Sequence, residues 1–202
     1  MTYLDRVLDD GTDRAQWLTA RLPVIGASDA AKLSKPESVP LYLAAKLATR
    51  QFTGNAFTAS GNRWEPMMLA WAGIPANKAL VHHPDEDGFA ATPDGVATDL
   101  DGTLTLAETK AKHGRRITGP TLAEWRQIAW QLFCFPEAEE LQWVWVELDG
   151  AGEMTDLEPR HITVSRDDPK VVDLTDRMLP IATDLLARLR AALQFEKELL
   201  SA

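Results

Sequence analysis

Alternation of apolar and polar residues marks several short stretches of the chain and predicts half-buried β-strands. Residues 141–148 carry the strongest signal, because aromatic and β-branched residues, which favour strands, fill most of the stretch. A second clear stretch, 104–112, alternates apolar residues with Thr, Glu and Lys. The predicted strands cover residues 79–83, 89–91, 104–112, 141–148 and 160–165.

Other segments repeat apolar residues at intervals of three and four, which predicts helices. Ser28 is a good N-cap for a helix that begins at Asp29, and Pro66 suits a first turn or a kink. Loops are expected at residues 36–40 and 50–60. The remaining predicted helices cover residues 13–21, 41–48, 61–71, 120–135 and 169–199.

This order of helices and strands predicts an α/β fold with a central mixed β-sheet flanked by helices. The chain has 202 residues, enough for one domain with a sizeable core, and we expect a single domain over residues 1–202. Its core would cover residues 13–165, followed by a C-terminal helix over residues 169–199.

Composition and charge narrow the class of protein. No apolar run is long enough to span a membrane, and the N-terminal residues lack the apolar stretch of a signal peptide. The single cysteine, Cys134, excludes an internal disulfide framework, so we expect a cytoplasmic protein. The net charge of −9 argues against a broad, non-specific coat on nucleic acid, but it allows basic residues to line one groove.

Two carboxylates stand on either side of a predicted hairpin turn. Asp94 precedes the turn, Glu108 lies on the strand that follows it, and the intervening residues 99–102 are rich in Asp and Gly. A hairpin would bring the two carboxylates together, where they repel unless a cation lies between them. Oxygen ligands of this kind suit Mg²⁺ or Mn²⁺. A surface hairpin with solvated charges is the alternative.

Lys110 adds a third group to this pair. Side chains alternate along a strand, so Glu108 and Lys110 point to the same face. A metal held by such a site polarises a phosphodiester and lowers the pKa of a bound water, while the lysine holds the nucleophile or stabilises developing charge. Glu65 lies on an apolar helix flank, where a carboxylate is costly unless it is paired or bound to metal.

Basic and hydroxyl residues indicate where phosphate groups could bind. Lys112, Arg115 and Arg116 lie in a tract without acidic residues directly after the carboxylate pair. Ser28 lies at a predicted helix start, where free backbone N–H groups form a natural phosphate-binding site, and Arg21 could reach the same phosphate with paired donors. The alternatives are a solvated basic loop and a serine that only caps its helix.

Taken together, the motifs resemble the YqaJ-like viral recombinase and lambda-exonuclease family of the PD-(D/E)XK nucleases. The resemblance covers residues 13–135, and five motifs in the family's order are more specific than any one of them. The motifs are Trp17–Arg21 running into Val24–Asp29, Gly61–Pro66, Ala91–Gly95, Glu108–Lys110 and Gln127–Leu132.

The resemblance implies a restriction-endonuclease-like core with a metal site. Asp94 and Glu108 would bind Mg²⁺, or Mn²⁺ in its place, with the carbonyl of Thr109 as a third ligand. Lys110 would position or activate the attacking water.

The resemblance also implies supporting residues. Glu65 would help to organise the metal site, and Gln127 would orient water, lysine or substrate. Arg21, Ser28 and Thr92 would form a pocket for a terminal 5′-phosphate.

Members of this family degrade one strand of linear double-stranded DNA from its 5′ end, some as a ring-shaped trimer, and they work beside a single-strand annealing protein in recombination. The resemblance therefore implies an exonuclease of phage-type recombination or DNA repair. Two alternatives stay open: an endonuclease of repair or restriction type with the same metal site, and a non-catalytic DNA-binding protein that keeps the fold. Cutting of closed circular DNA would identify the first of these.

Overall fold

The computed structural model describes residues 2–48, 56–114 and 116–201, except the side chains of residues 56–59. The helices in these ranges are α1 (Arg14–Arg21), α2 (Ala27–Ala30), α3 (Val39–Ala48), α4 (Ala56–Ala72), α5 (Leu122–Cys134) and α6 (Pro169–Ser201). The strands are β1 (Val7–Asp9), β2 (Leu80–His82), β3 (Ala90–Ala91), β4 (Gly95–Thr98), β5 (Leu104–His113), β6 (Ala138–Leu148) and β7 (Arg160–Ser165).

The strands form two sheets. The larger sheet has the order β4-β5-β6-β7 and is mixed, because β5 and β6 are parallel while both outer pairs are antiparallel. The smaller sheet, β1-β2-β3, is antiparallel. The predicted α/β fold with a central mixed sheet is therefore confirmed, and the three-stranded sheet is an addition to it.

Helices cover both faces of the larger sheet. On one face, Met68 of α4 packs against Val144 and Val146 of β6. On the other face, Ile128 of α5 and Trp143 of β6 belong to the main core cluster, and α6 lies against α5. Successive residues of β6 thus face different helices, which explains why this strand is apolar on both sides.

The short helix near the N-terminus differs from the prediction. It begins two residues before Asp29 and is only four residues long. Gly26 is its N-cap, and the backbone N–H of Gly26 donates to the Asp29 carboxylate at 3.0 Å. Ser28 as N-cap is therefore wrong, because its hydroxyl instead accepts a hydrogen bond from Arg21. So short a helix has only a small dipole, so a phosphate bound at Ser28 would depend on side-chain donors such as Arg21.

Two predicted loops and one proline also need correction. The loop predicted over 36–40 is wrong, because Pro36–Ser38 form a 3-10 helix and α3 begins at Val39. Residues 50–55 lie outside the described residues, and the rest of the loop predicted over 50–60 belongs to α4. Pro66 lies inside α4 and is exposed, so the carbonyl that its missing N–H leaves unpaired can be hydrated.

The C-terminal helix α6 has 33 residues. It packs against α3 and α5 through one apolar face, which contains Val171, Leu174, Met178, Ile181, Ala182, Leu185, Leu186 and Leu189. Within the described ranges, none of the helices combines the length and apolar character that a membrane span requires.

Candidate active site

β4 and β5 separate at the point where the two predicted carboxylates meet. Their antiparallel pairing ends with Gly95 opposite Ala107, so Asp94 lies next to Glu108. The backbone N–H and the hydroxyl of Thr109 both donate to Asp94 Oδ2, at 2.7 and 2.8 Å. The Asp94 carboxylate is therefore held against the edge of β5 that β4 leaves open.

Asn77 holds the segment before β4 in place. Its backbone N–H donates to the carbonyl of Asp94 at 2.8 Å, and its side-chain amide donates to the carbonyl of Pro93 at 2.8 Å. The Asn77 Oδ1 atom accepts from the N–H of Ala79 at 3.1 Å, which fixes the orientation of the amide. Hydrogen bonds from Asn77 therefore fix the carbonyls of Pro93 and Asp94.

Gly95 is required here because the backbone packs closely. A Cβ atom at this position would lie 2.8 Å from Ile74 Cγ2 and 2.8 Å from Leu69 Cδ2. We expect Gly95→Ala to lower the free energy of unfolding by about 2 kcal/mol and to reduce any cleavage activity by displacing the neighbouring carboxylate. Chemical denaturation would measure the loss. Gly150→Ala is the control, because open space surrounds Gly150; equal stability of the two variants would contradict the argument.

Glu108 accepts several hydrogen bonds beneath α5. Its exposed fraction is only 2%. Lys110 Nζ and Gln127 Nε2 both donate to Glu108 Oε1, the latter at 2.5 Å. Gln131 Nε2 donates to Glu108 Oε2 at 2.6 Å. The lysine and the two glutamines thus fix both oxygens of this buried carboxylate.

Burial and crowding shift the pKa values of these groups. Burial, and then the charge of Asp94, raise the pKa of Glu108 to about 7. Burial likewise raises the pKa of Asp94 and of Glu65. Burial disfavours the charge on Lys110, but the carboxylates of Glu108 and Asp94 outweigh it and raise the pKa of the lysine. The charge of Lys110 therefore acts on all three carboxylates, and that of Lys78 acts on Glu65 as well; a further cation would stabilise the cluster.

The donor set fits a hard divalent cation. The N–H of Thr109 points at Asp94, and the N–H and C=O of one strand residue share an edge, so the Thr109 carbonyl faces the same opening. In the part of the chain that is described, no three His, Cys, Asp or Glu side chains are grouped as metal ligands. An ion bound by two carboxylates and a carbonyl would complete its shell with water, as Mg²⁺ usually does.

Arg21 and Ser28 meet at the end of α1. The Nη2 atom of Arg21 donates to the Ser28 hydroxyl. The guanidinium also lies over the ring of Trp17, 5.0 Å from its centroid. This stacking fixes the plane of the guanidinium and leaves other N–H donors for a ligand.

Thr92 belongs to a neighbouring segment. Ile25 forms a parallel bridge with Phe89, so the chain that leads to Ser28 runs alongside the chain that leads to Thr92. The Thr92 Oγ1 atom is buried and has no hydrogen-bond partner among the described residues. A buried hydroxyl without a partner calls for an explanation, and a bound anion would supply the missing acceptor.

The basic tract is only partly open to solvent. Lys112 forms an ion pair with Glu124 of α5, and its Nζ lies 5.8 Å from the ring centroid of Trp143. A DNA contact by Lys112 would therefore compete with Glu124. Arg116 is exposed, and Arg115 lies outside the described residues.

Three further residues support the site without a role predicted from the sequence: Gln131, Asn77 and Lys46, whose ammonium group donates to the backbone carbonyl of Arg21. Gln131 could have been found, because it lies four residues after Gln127 on the same polar helix face. Asn77 and Lys46 carry no local signal, since each acts on a segment far away in the sequence.

The sequence profile of the YqaJ-like viral recombinase domain matches residues 16–129, which is more than half of the chain. The protein belongs to this family. The match begins within α1, ends within α5 and includes every residue described above that surrounds Asp94 and Glu108, apart from Gln131. Among curated protein sequences, none is significantly similar to the chain.

Solved structures of two exonucleases share the fold. The alkaline exonuclease LHK-Exo from Laribacter hongkongensis is 20% identical, with a TM-score of 0.63 over 92% of this chain and 99% of that one. The same enzyme in complex with dAMP gives 21% identity and a TM-score of 0.62 over the same shares. A phage-related exonuclease from Haemophilus somnus 129PT is 14% identical, with a TM-score of 0.54 over 94% and 93%. Family and fold together support a nuclease.

Proposed function

We propose that this YqaJ-family protein is a divalent-metal-dependent deoxyribonuclease that degrades linear double-stranded DNA from the 5′ end. The observation that carries the proposal is the cluster of Asp94, Glu108 and Lys110 at the open edge of β5. Phage-type recombination or DNA repair is the proposed setting, and membership of the viral recombinase family supports it.

Asp94, Glu108 and the carbonyl of Thr109 would hold Mg²⁺, with Mn²⁺ as an alternative. The ion, when bound, polarises the scissile phosphate and lowers the pKa of a bound water. The raised pKa values of both carboxylates support this assignment, because they reflect burial first and then the charge of a neighbouring carboxylate, and a bound cation would offset both.

In the metal-free protein, against the effect of burial, the carboxylates of Glu108 and Asp94 raise the pKa of Lys110, which favours the ammonium form. We therefore assign it the role of a donor, which positions the attacking water and stabilises charge on the phosphate, rather than that of a general base. Gln127 would hold Glu108 in its ligating orientation and, being half-buried, could also orient water or substrate. Glu65 would help to organise the water around the metal.

Arg21, Ser28 and Thr92 would bind the terminal 5′-phosphate. The guanidinium stacked on Trp17 offers paired donors, and the Thr92 hydroxyl lacks a partner among the described residues. The relative LHK-Exo has been solved with dAMP, a nucleoside monophosphate. A pocket for a terminal phosphate favours an exonuclease over the endonuclease and over the non-catalytic DNA-binding protein.

A digestion assay separates these three functions. Linear duplex with a 5′-phosphate, the same duplex with a 5′-hydroxyl and closed circular duplex would each be incubated with the protein and Mg²⁺. The proposal requires loss of the linear DNA alone, faster with the phosphate, and no reaction in EDTA. Cutting of the circle would favour the endonuclease, and an absence of cleavage with retained binding would favour the DNA-binding protein.

Arg21→Ala should blunt the preference for a 5′-phosphate, because one charge-assisted contact to a phosphate is worth about tenfold or more in rate. Arg14→Ala is a matched control: Arg14 also lies on α1 and stacks on Trp17, at 4.5 Å, but it donates no hydrogen bond to Ser28 in this structure. Initial rates on phosphorylated and unphosphorylated duplexes give the preference. An equal loss on both duplexes in Arg21→Ala would argue against the pocket.

We further propose a homo-oligomer, a ring-shaped trimer by family resemblance, that works beside a single-strand annealing protein. The resemblance is the only support for these partners. Light scattering of the purified protein measures its oligomeric state, and co-purification with a candidate annealing protein tests that interaction.

A further inference from the structure

A buried ion pair lies directly behind the proposed phosphate pocket. Lys46 of α3 and Asp29 of α2 have exposed fractions of 3% and 6%, and Lys46 Nζ lies 2.6 Å from Asp29 Oδ2. Two charges so deep in a protein lose their hydration, so the pair contributes little net stability and its other contacts indicate its role. The proposed chemistry at Glu108 makes no use of this pair.

The contacts of the pair converge on the two segments that carry the pocket residues. Lys46 Nζ also donates to the backbone carbonyl of Arg21 at 3.2 Å. The Asp29 carboxylate also accepts the backbone N–H of Gly26 at 3.0 Å, which shapes the turn that carries Ser28. One ammonium group and one carboxylate thus tie the end of α1 to the start of α2.

We propose that the Asp29–Lys46 pair is a positioning device that holds Arg21 and Ser28 at the spacing needed to bind a terminal 5′-phosphate. The inference rests on the proposed function and deepens it. Lys46 does not contact DNA itself, because its side chain is almost completely buried. The pair is also neutral as a whole, so its effect on phosphate selectivity comes from geometry and not from added positive charge.

The test measures kcat/KM on two duplexes that differ only in a 5′-phosphate or a 5′-hydroxyl, and takes the ratio as phosphate selectivity. The key variant is the double substitution Asp29→Asn with Lys46→Met. It removes both charges of the pair together, and the asparagine oxygen can still accept the N–H of Gly26, so the variant is expected to fold. Lys46→Met alone would leave the buried Asp29 carboxylate without its ion-pair partner and would be less stable than the double variant.

Arg6→Met is the matched control. Arg6 is as deeply buried and pairs with Glu137 at 2.6 Å, but its other bonds reach the carbonyls of His82 and Cys134. This control should melt at a lower temperature and keep the wild-type selectivity, because it weakens the fold without touching the pocket.

We expect the double variant to lose about tenfold in selectivity, by a slower reaction on the phosphorylated duplex, with little change on the 5′-hydroxyl duplex. Wild-type selectivity in the folded double variant would overturn the positioning role and leave the phosphate pocket standing. Selectivity near unity in the wild-type protein would overturn the pocket and this inference together. A parallel loss of selectivity in Arg6→Met would show that general destabilisation is the cause, and would also overturn the inference.

Discussion

Lys110→Met should reduce the rate of DNA cleavage by about 10³-fold while the protein stays folded. Methionine keeps the length and the apolar stem of the lysine, but it removes the ammonium group that bonds to Glu108. That group is the positive charge next to the proposed metal ligands, so it is placed to stabilise charge on the attacked phosphate. The proposed reaction would lose this stabilisation mainly in the transition state, and kcat should fall more than KM rises.

Lys112→Met is the control for this variant. Lys112 lies two residues further along the same face of β5 and is also ion-paired, but its partner is Glu124 at the start of α5. We expect its cleavage rate to stay within about tenfold of wild type. Single-turnover cleavage and binding of a labelled duplex would be measured for both variants in Mg²⁺. Near-normal cleavage by a folded Lys110→Met would remove the lysine from the mechanism.

The part of the site that lies on one hairpin could be predicted from the sequence. Asp94, Glu108 and Lys110 are close in the chain, and strand alternation together with a turn rich in Asp and Gly determines how they meet. The alternation predicts that Glu108 and Lys110 share a face, and their hydrogen bond agrees with it. Local chemistry is sufficient here because few other segments need to be in place.

Contacts between distant segments could not be predicted. The backbone N–H of Asn77 donates to the carbonyl of Asp94, which lies in a different segment. The Asp29–Lys46 pair joins two helices, α2 and α3. Asn, Asp and Lys are common surface residues, so their types give no signal in the sequence. Only the folded structure shows that these side chains join separate segments. The wrong cap at Ser28 has a related cause, since a hydroxyl and the carboxylate of Asp29 compete for one turn and sequence alone does not decide between them.

Mg²⁺ should stabilise the protein against heat at about pH 8 and have little effect at about pH 5.5. In the metal-free protein the pKa of Glu108 is raised from 4.5 to about 7, so between these values the folded state binds more protons than the unfolded state. The free energy of unfolding therefore falls as the pH rises through this window, by on the order of 3 kcal/mol. A metal ion competes with the proton for this carboxylate, so its stabilising effect is small below the raised pKa and grows above it.

Glu108→Gln should greatly reduce both effects, because the amide neither titrates nor ligates Mg²⁺ well and only Asp94 remains as a carboxylate ligand. Glu147→Gln provides the control: Glu147 is a buried carboxylate on the neighbouring strand β6 and accepts the N–H of Ile117 at 2.7 Å, away from Asp94. Its variant should keep a response to Mg²⁺ that grows with pH. The difference between the melting temperatures in Mg²⁺ and in EDTA, measured at the two pH values, gives the Mg²⁺ response of each variant. A Mg²⁺ response in Glu108→Gln as large as that of the wild type, or a wild-type response that is equal at both pH values, would contradict the role of Glu108 as a metal ligand with a raised pKa.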